Sequence, residues 1–599
     1  MKITHNLNST AVSKDTAENT CFILTNKAGG FTSFGINSRY SGFFTSINGK
    51  LLKIIDEIVI DGKITEVTNN FWNVERKRDT GIIERFLMPV HTDTMIYELS
   101  QPCHLSLLLD VKEPYDNREW GRLYDVFVEN NMIIIKFTKK QDTKDGDSGQ
   151  NNEYSIYLAI EGDEDLHYKK ISEWPKKFYD YDKSRGSFPY ERHVFNAMKL
   201  FARKLVFSVS ESRENAIKNA KSIEKDYHFH NIKTIKASQE INIAFNCARN
   251  SLDSLVVNDK EPAIYAGLPW FFQFWTRDEA ISLGALIIEN GFPSVKKILF
   301  KQLNNLKPDG RLPSIMTLPE TSSADSIGWH FKRWHDLIEA LSAKNLINKS
   351  FSKTEMEVLI LNLKKSLDAI VMHYGRTGFV SNIEKETWMD SISRGGFRIE
   401  IQALYAVMCD TLCKLTGDKF YLQMEVAVKK HILSKFWNGK ILSDGLGDST
   451  IRPNIFIAAY VYPDLLSQKE WETCIDNSLS WLWLNFGGFS TIDTRSELFQ
   501  RNHTGENPTS YHNGDSWFWI NNLAALVMHR INKKKYKDKI SKIIDASAKE
   551  ILWKGAIGHH AELSSASELK SEGCLAQAWS SAMFVELINE IYEKCQKKL

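Results

Sequence analysis

The hydrophobic pattern of this chain changes period near residue 215, and that change limits the possible folds more than any other feature. Before it, from about residue 18 to 210, short apolar or alternating runs recur between turn residues, at 21–24, 42–47, 57–60, 95–99, 104–109, 132–137, 155–160 and 205–209. Period-two alternation over runs this short predicts half-buried strands. A β-sandwich over residues 1–212 is the economical way to bury so many antiparallel strands. Asp61-Gly62 between two such runs reads as a hairpin turn. The polar stretch 139–154 reads as an exposed hairpin loop.

After residue 215 the period becomes helical. A charged, helix-prone segment starting at Glu214 predicts a helical linker over 213–236. Helical periodicity then covers 241–255, 278–289, 295–303, 331–341, 353–374, 399–416, 419–433, 455–462, 468–484, 517–531, 536–552 and 576–595. Twelve helices taken as six hairpins predict an all-α (α/α)6 barrel over 237–599. The loops between them hold most of the Gly, Pro, Trp and acidic residues of this half.

A chain of 599 residues is too long for one ordinary core, which agrees with two or more domains. Seventy-six basic side chains against 74 acidic ones leave a net charge of +2, so charge gives no reason to expect a nucleic-acid or anionic-membrane partner. The eight cysteines form no CxxC pair or ligand cluster, so they read as buried reduced thiols. The first residues carry no apolar leader and no apolar run approaches membrane-spanning length, so the expected location is cytoplasmic. No Gly-rich phosphate loop, Ser-His-Asp arrangement or dense metal-ligand motif appears, and neither a metal nor a cofactor is expected.

Chemistry concentrates in two acidic loops, Glu386-Thr387-Trp388-Met389-Asp390 and Ala561-Glu562-Leu563, whose carboxylates Asp390 and Glu562 lie 172 positions apart. Cleaving a glycosidic bond takes two carboxyl groups on opposite faces of one sugar. A pair so distant in sequence can serve only if the fold returns both loops to one mouth. A third loop, Ala266-Gly267-Leu268-Pro269-Trp270 leading to Phe274-Trp275-Thr276-Arg277-Asp278, combines indoles with a charged pair. Trp270 or Trp275 would stack on a sugar ring while Arg277 and Asp278 bond its hydroxyls. Asp278 is equally suited to start or cap the following helix.

These segments carry a resemblance. The Trp275-Thr276-Arg277-Asp278 loop resembles the first active-site loop of the glycogen debranching enzymes, in their amylo-α-1,6-glucosidase part, although glucoamylases share it. Thr387-Trp388-Met389-Asp390 with Arg394 and Ile399-Glu400-Ile401, Arg452-Pro453-Asn454, Tyr511-His512-Asn513-Gly514 with Trp517, and Glu562-Leu563 with Gln577-Ala578-Trp579-Ser580 are similar to that family's motifs, in the same order. Asn37-Ser38-Arg39-Tyr40-Ser41-Gly42 resembles a motif in the sandwich domain of prokaryotic members, with Ser41 in place of its His. The first 235 residues leave no room for the glucanotransferase barrel of the eukaryotic enzymes.

The resemblance implies an inverting hydrolase of α-glucans, such as glycogen, limit dextrin or maltooligosaccharide, removing α-1,6-linked glucosyl stubs. It implies Asp390 as general acid and Glu562 as general base, with Glu568 and Glu572 as rivals for the latter. Trp270, Trp275, Arg277, Asp278, Asp325, Trp329, Trp388, Arg394, Glu400, His512, Trp517, Gln577 and Trp579 are the expected substrate-binding residues. Glu400, at the head of an apolar helix, and His512, a lone loop histidine, suit structural roles as well. Only three residues separate Asp390 from Arg394, a short loop that bears on the aglycone side. The competing readings are another exo-α-glucosidase of glucoamylase or trehalase type, an inverting phosphorylase, and a non-catalytic glucan-binding protein.

Overall fold

The computed structural model describes residues 1–7, 10–129, 132–140, 153–164, 166–222, 231–258 and 261–593. The chain divides into two compact units. The first comprises Met1–Lys233, Asp253–Lys260 and Leu552–His559; the second comprises Thr234–Leu252, Glu261–Ile551 and His560–Leu599.

The first unit is rich in sheet. Among the described residues fifteen strands hydrogen-bond into one continuous sheet. Its spine is Thr94–Lys112, which pairs antiparallel with Phe195–Ser210, Lys50–Ile60 and Ile83–Leu87. The sequence suggested two short strands at 95–99 and 104–109. The chain runs on as one because polar Ser100, Gln101 and Pro102 sit where the register against Phe195–Ser210 shifts, between Glu98 and Cys103. The hairpin reading of Asp61-Gly62 is overturned. Lys50–Ile60 and Ile64–Asn69 flank it but take different neighbours, the latter pairing with Lys2–Leu7 and Asn73–Arg78. Gly62 supplies the positive φ of a turn, and the paired partners lie elsewhere. Helix Arg213–Lys221 begins at Ser212, whose hydroxyl accepts from the Asn215 N–H. Its Ala216 and Ala220 pack on Met132, Ile134 and Ala159 of the sheet. The polar loop expected at 139–154 lies outside the described residues from 141 to 152.

The second unit is helical. Thr276–Ile288 packs against Ser326–Ala343, which packs against Ile399–Thr416; Asn454–Val461, Phe518–Asn532 and Ala578–Ile588 follow in turn, and the last returns to Thr276–Ile288. These six bury most of their length; every residue of Asn454–Val461 and Ala578–Ile588 is buried. That is the signature of a helix surrounded by other helices. Lys353–Tyr374 instead buries one stripe, Leu359, Leu363, Ser366, Leu367 and Ile370, and starts with a capping box between Ser352 and Glu355. It packs with Lys419–Lys435 on Ile399–Thr416, as Gln468–Leu482 does on Phe518–Asn532. Long irregular connections enter the six buried helices, and connections of that length are commonly functional. No helix among the described residues is long and apolar enough to cross a membrane.

Candidate active site

Three of these connections converge. Gly267–Leu268 pairs antiparallel with Ala576–Gln577. A side chain at position 267 would put its Cβ 2.3 Å from the Gln577 carbonyl oxygen Oε1 and 2.8 Å from the Cys574 Sγ, so only glycine admits this approach. The pairing brings Trp275, Arg277 and Asp278 beside Gln577 and Trp579. Trp275 is the N-cap of Thr276–Ile288, so Asp278 sits within the first turn and is not the capping residue. Its Oδ1 accepts from Gln577 Nε2 at 3.2 Å instead.

Asp390 is held by what surrounds it. The Trp388 indole N–H donates to Asn454 Oδ1 at 2.7 Å, and Asn454 Nδ2 donates to Asp444 at 2.7 Å. Arg394 spans Asp444 and Glu400 with charge-assisted bonds of 2.7 to 3.2 Å and reaches the Thr387 hydroxyl at 2.9 Å. The short 391–393 segment is thereby pinned at both ends.

Glu562 enters through Leu563–Ser564, paired with Ser516–Trp517. The Tyr511 hydroxyl donates to one carboxylate oxygen and the Cys574 backbone N–H to the other at 2.9 Å. Gly573, at φ +64°, lies so close that a Cβ would stand 2.4 Å from the Glu562 carboxylate.

Asp390 and Glu562 line the same cavity of about 300 Å³, with Trp275, Arg277, Asp278, Trp388, Tyr511, Trp517, Gln577 and Trp579. Arg277 is the cation of this wall. It donates to Asp390 at 3.3 Å and stands 3.7 Å from Asp278 and 3.9 Å from Asp325. One guanidinium among so many acids leaves the cavity short of positive charge. Burial raises Glu562 to about 7, with Asp278 and Asp390 adding to the effect while the Tyr511 and Cys574 donors oppose it. Burial likewise raises Asp278 to about 7 against the pull of Arg277. Asp390 is raised too, by desolvation against Arg277, although its side chain is 35% exposed. It is enclosed by protein yet opens to the cavity. Four buried polar atoms on this wall have no hydrogen-bond partner within the protein: Arg277 Nε, Asp278 Oδ2, Gln577 Oε1 and Trp579 Nε1.

The other predicted residues lie elsewhere. Trp270 is buried and outside the cavity wall. Trp329 packs between Tyr460 and Trp519 in the helical core. Asp325 stands behind Arg277 and accepts from the Ser323 hydroxyl at 2.5 Å. Arg394 and Glu400 sit in the buried ion-pair cluster with Asp444. His512 is fully buried, stacked on Trp517, with its Nδ1 2.6 Å from the Ser391 hydroxyl. Of Glu568 and Glu572, neither lines the cavity. Sequence reasoning passed over Tyr511, although it adjoins His512 in a recognised motif. It also passed over Asp444 and Cys574, which act through backbone or buried side-chain contacts that no motif signals. Among the described residues no group of three or more His, Cys, Asp or Glu side chains could hold a metal ion.

Residues 243–586, more than half of the chain, match the family described as amylo-alpha-1,6-glucosidase. The chain belongs to that family, and is therefore a glycosidase by class. No curated protein matches it. Among solved structures it is similar to a bacterial glucoamylase complexed with acarbose, at 12% identity and a TM-score of 0.58, covering 98% of this chain and 96% of that one. At that identity the likeness is one of fold. Two structures of a glycosidase, the wild type and a variant in complex with glucose, match at 12% identity and a TM-score of 0.44, covering 59% of this chain and 98% of theirs.

Proposed function

We propose that this protein is an inverting α-1,6-glucosidase that removes single glucosyl stubs from glycogen or limit dextrin. In this reading Asp390 gives its proton to the glycosidic oxygen as the C1–O bond breaks. Glu562 takes a proton from water, whose oxygen bonds C1 on the opposite face, so the configuration inverts. The observation that carries it is the shared cavity: two carboxyls from loops 172 positions apart face one space among indoles and unsatisfied polar atoms. A Glu562 carboxyl poised near 7 suits a general base at neutral pH. Desolvation pulls Asp390 toward its protonated form, against the Arg277 guanidinium.

Arg277 and Asp278 on the cavity wall supply a charged donor and an acceptor for sugar hydroxyls, and the half-buried Trp275 supplies a flat apolar face. A volume of about 300 Å³ is at the small end of ligand sites, which suits one terminal sugar rather than a long segment. The cyclic order of six buried helices supports the (α/α)6 barrel, and the antiparallel strands support a sandwich as its companion. Seven described cysteines, all free thiols, support a cytoplasmic setting.

The second reading, an exo-α-glucosidase of glucoamylase type, is favoured by the full-length likeness to the bacterial glucoamylase fold. Free glucose released from phosphorylase-limit dextrin, linear maltooligosaccharides and trehalose separates the two. Limit dextrin is the preferred substrate under the first reading, and preference for either of the others refutes it. Asp390→Asn and Glu562→Gln should each abolish release.

A further inference from the structure

The residues that hold the two proposed catalytic carboxyls are neighbours in sequence. Tyr511 donates its hydroxyl to Glu562. His512, the next residue, brackets Asp390 from outside the cavity: its Nδ1 lies 2.6 Å from the Ser391 hydroxyl, and its ring meets the Trp388 indole edge-on at 5.4 Å and 87°. Residues 388 and 391 flank Asp390 on either side, so the imidazole touches both shoulders of the acid's loop.

The Tyr511-His512 segment is itself fixed. The Trp517 indole N–H donates to the Tyr511 carbonyl at 2.7 Å, and Trp517 stacks on His512 at 5.0 Å and 9°. Arg452 donates to the His512 carbonyl at 2.6 Å and to Asn513 Oδ1 at 3.1 Å. Arg452 reaches Thr491 as well, which ties the segment to the chain that precedes it. His512 is fully buried and does not line the cavity, so it has no route to the sugar. Burial and the nearby Arg452, Arg277 and Arg394 hold it well below the usual histidine range, and the ring is neutral. A neutral imidazole here neither donates charge nor shuttles a proton. What it supplies is position.

We infer that His512 and Ser391 form a clasp which, with Tyr511, sets the spacing between the acid Asp390 and the base Glu562. The inference rests on the proposed roles of those two carboxyls. His512 is a positioning residue, whereas the sequence suggested a substrate ligand. Its effect is specific: releasing the clasp lets Asp390 drift from the leaving oxygen while the cavity wall at Arg277, Asp278, Gln577 and Trp579 stays in place.

The test compares two substrates on Ser391→Ala, His512→Ala and His512→Asn, with limit dextrin and α-D-glucosyl fluoride. Dextrin needs its leaving oxygen protonated. Fluoride departs as the anion when C1–F breaks, with Glu562 still taking the proton of the attacking water. Misplacement of about 1 Å costs on the order of 10²-fold, so both alanine variants should lose about that much in kcat on dextrin with KM little changed, and keep fluoride hydrolysis within about threefold. His512→Asn offers an amide where Nδ1 stood and should recover most of the dextrin activity. The double alanine variant should lose no more than either single one, because both changes release the same clasp. Equal loss on both substrates, no loss on dextrin, a loss confined to KM, or additive losses would overturn the clasp. Asp390→Asn run in parallel tests the underlying reading by itself: if it fails to show the dextrin-selective loss, the acid assignment falls, whatever the clasp variants do.

Discussion

Replacing Tyr511 by Phe changes one interaction at the proposed base and leaves the ring packing against Trp517 in place. Glu562 has two donors, the Tyr511 hydroxyl and the Cys574 N–H, and both favour its charged form. Burial works the other way and leaves the carboxyl at about 7. A hydrogen bond to a buried charged group contributes about 1.5–3 kcal/mol. At 1.36 kcal/mol per unit, losing it raises the Glu562 value by about one to two units. The working form of a base is the deprotonated one, so it appears only as pH rises through that value. Near pH 7 the ionised fraction then falls from about one half to roughly 1–10%, and kcat/KM falls about 5- to 50-fold. The deficit should shrink as pH is raised, with the acid limb of the kcat/KM profile displaced upward by the same one to two units. A profile lowered evenly at all pH values, or an acid limb that stays put, would refute the account of how Glu562 is tuned.

Other consequences follow from the same geometry. A carboxyl raised from 4.5 to about 7 by burial is bound to its proton more tightly in the folded state than in the unfolded one. The resulting penalty is absent below the unfolded value, grows as pH rises through it and is complete above the folded value, reaching about 3 kcal/mol. Glu562→Gln should therefore raise the melting temperature by about 2–4 °C at pH 8 and leave it unchanged at pH 4, as calorimetry would register. Arg394→Met breaks a buried cluster, strips Glu400 of its cation and leaves Asp444 with only Arg398 and Asn454, which should cost about 3–5 kcal/mol in denaturant unfolding; a neutral result would contradict the structural role. Gly573→Ala forces a side chain into a left-handed backbone position 2.4 Å from the Glu562 carboxylate. It should lower kcat on the order of 10²-fold, and unchanged kcat would show that the base tolerates displacement.

The helical half was legible in its elements: Lys353–Tyr374 and Ile399–Thr416 have the bounds their apolar spacing predicts, whereas Ser326–Ala343 begins five residues before its expected 331–341 and the α-helix Ala578–Ile588 ends well short of the expected 576–595. Strands were less so. His167–Glu173 is exposed along most of its length and mostly polar, and the apolar residues of Arg122–Glu129 fall in runs without alternation, so neither shows a period of two. Lys50–Ile60 and Thr94–Lys112 are longer than their apolar runs because sheet pairing carries polar residues along. Asp61-Gly62 shows the limit of turn chemistry, since a turn dipeptide specifies a reversal and says nothing of which strand the chain then joins. At the site, residues in recognised motifs were found, but the motifs did not separate those facing the cavity from those behind it. Trp388 and Trp329 are both buried indoles, and only the fold makes one a wall and the other core. Asp444 has no motif, and its importance comes from a buried guanidinium that needs a second acid.

The central claim is that Asp390 and Glu562 work from opposite faces of one glucosyl unit with water between the sugar and the base. Proton NMR of the first glucose released from phosphorylase-limit dextrin, followed before mutarotation, tests it directly. The account predicts β-glucose as the initial anomer, lost together with all turnover in Glu562→Gln. Initial α-glucose would mean retention, and would contradict the assignment of Glu562 as a base acting through water.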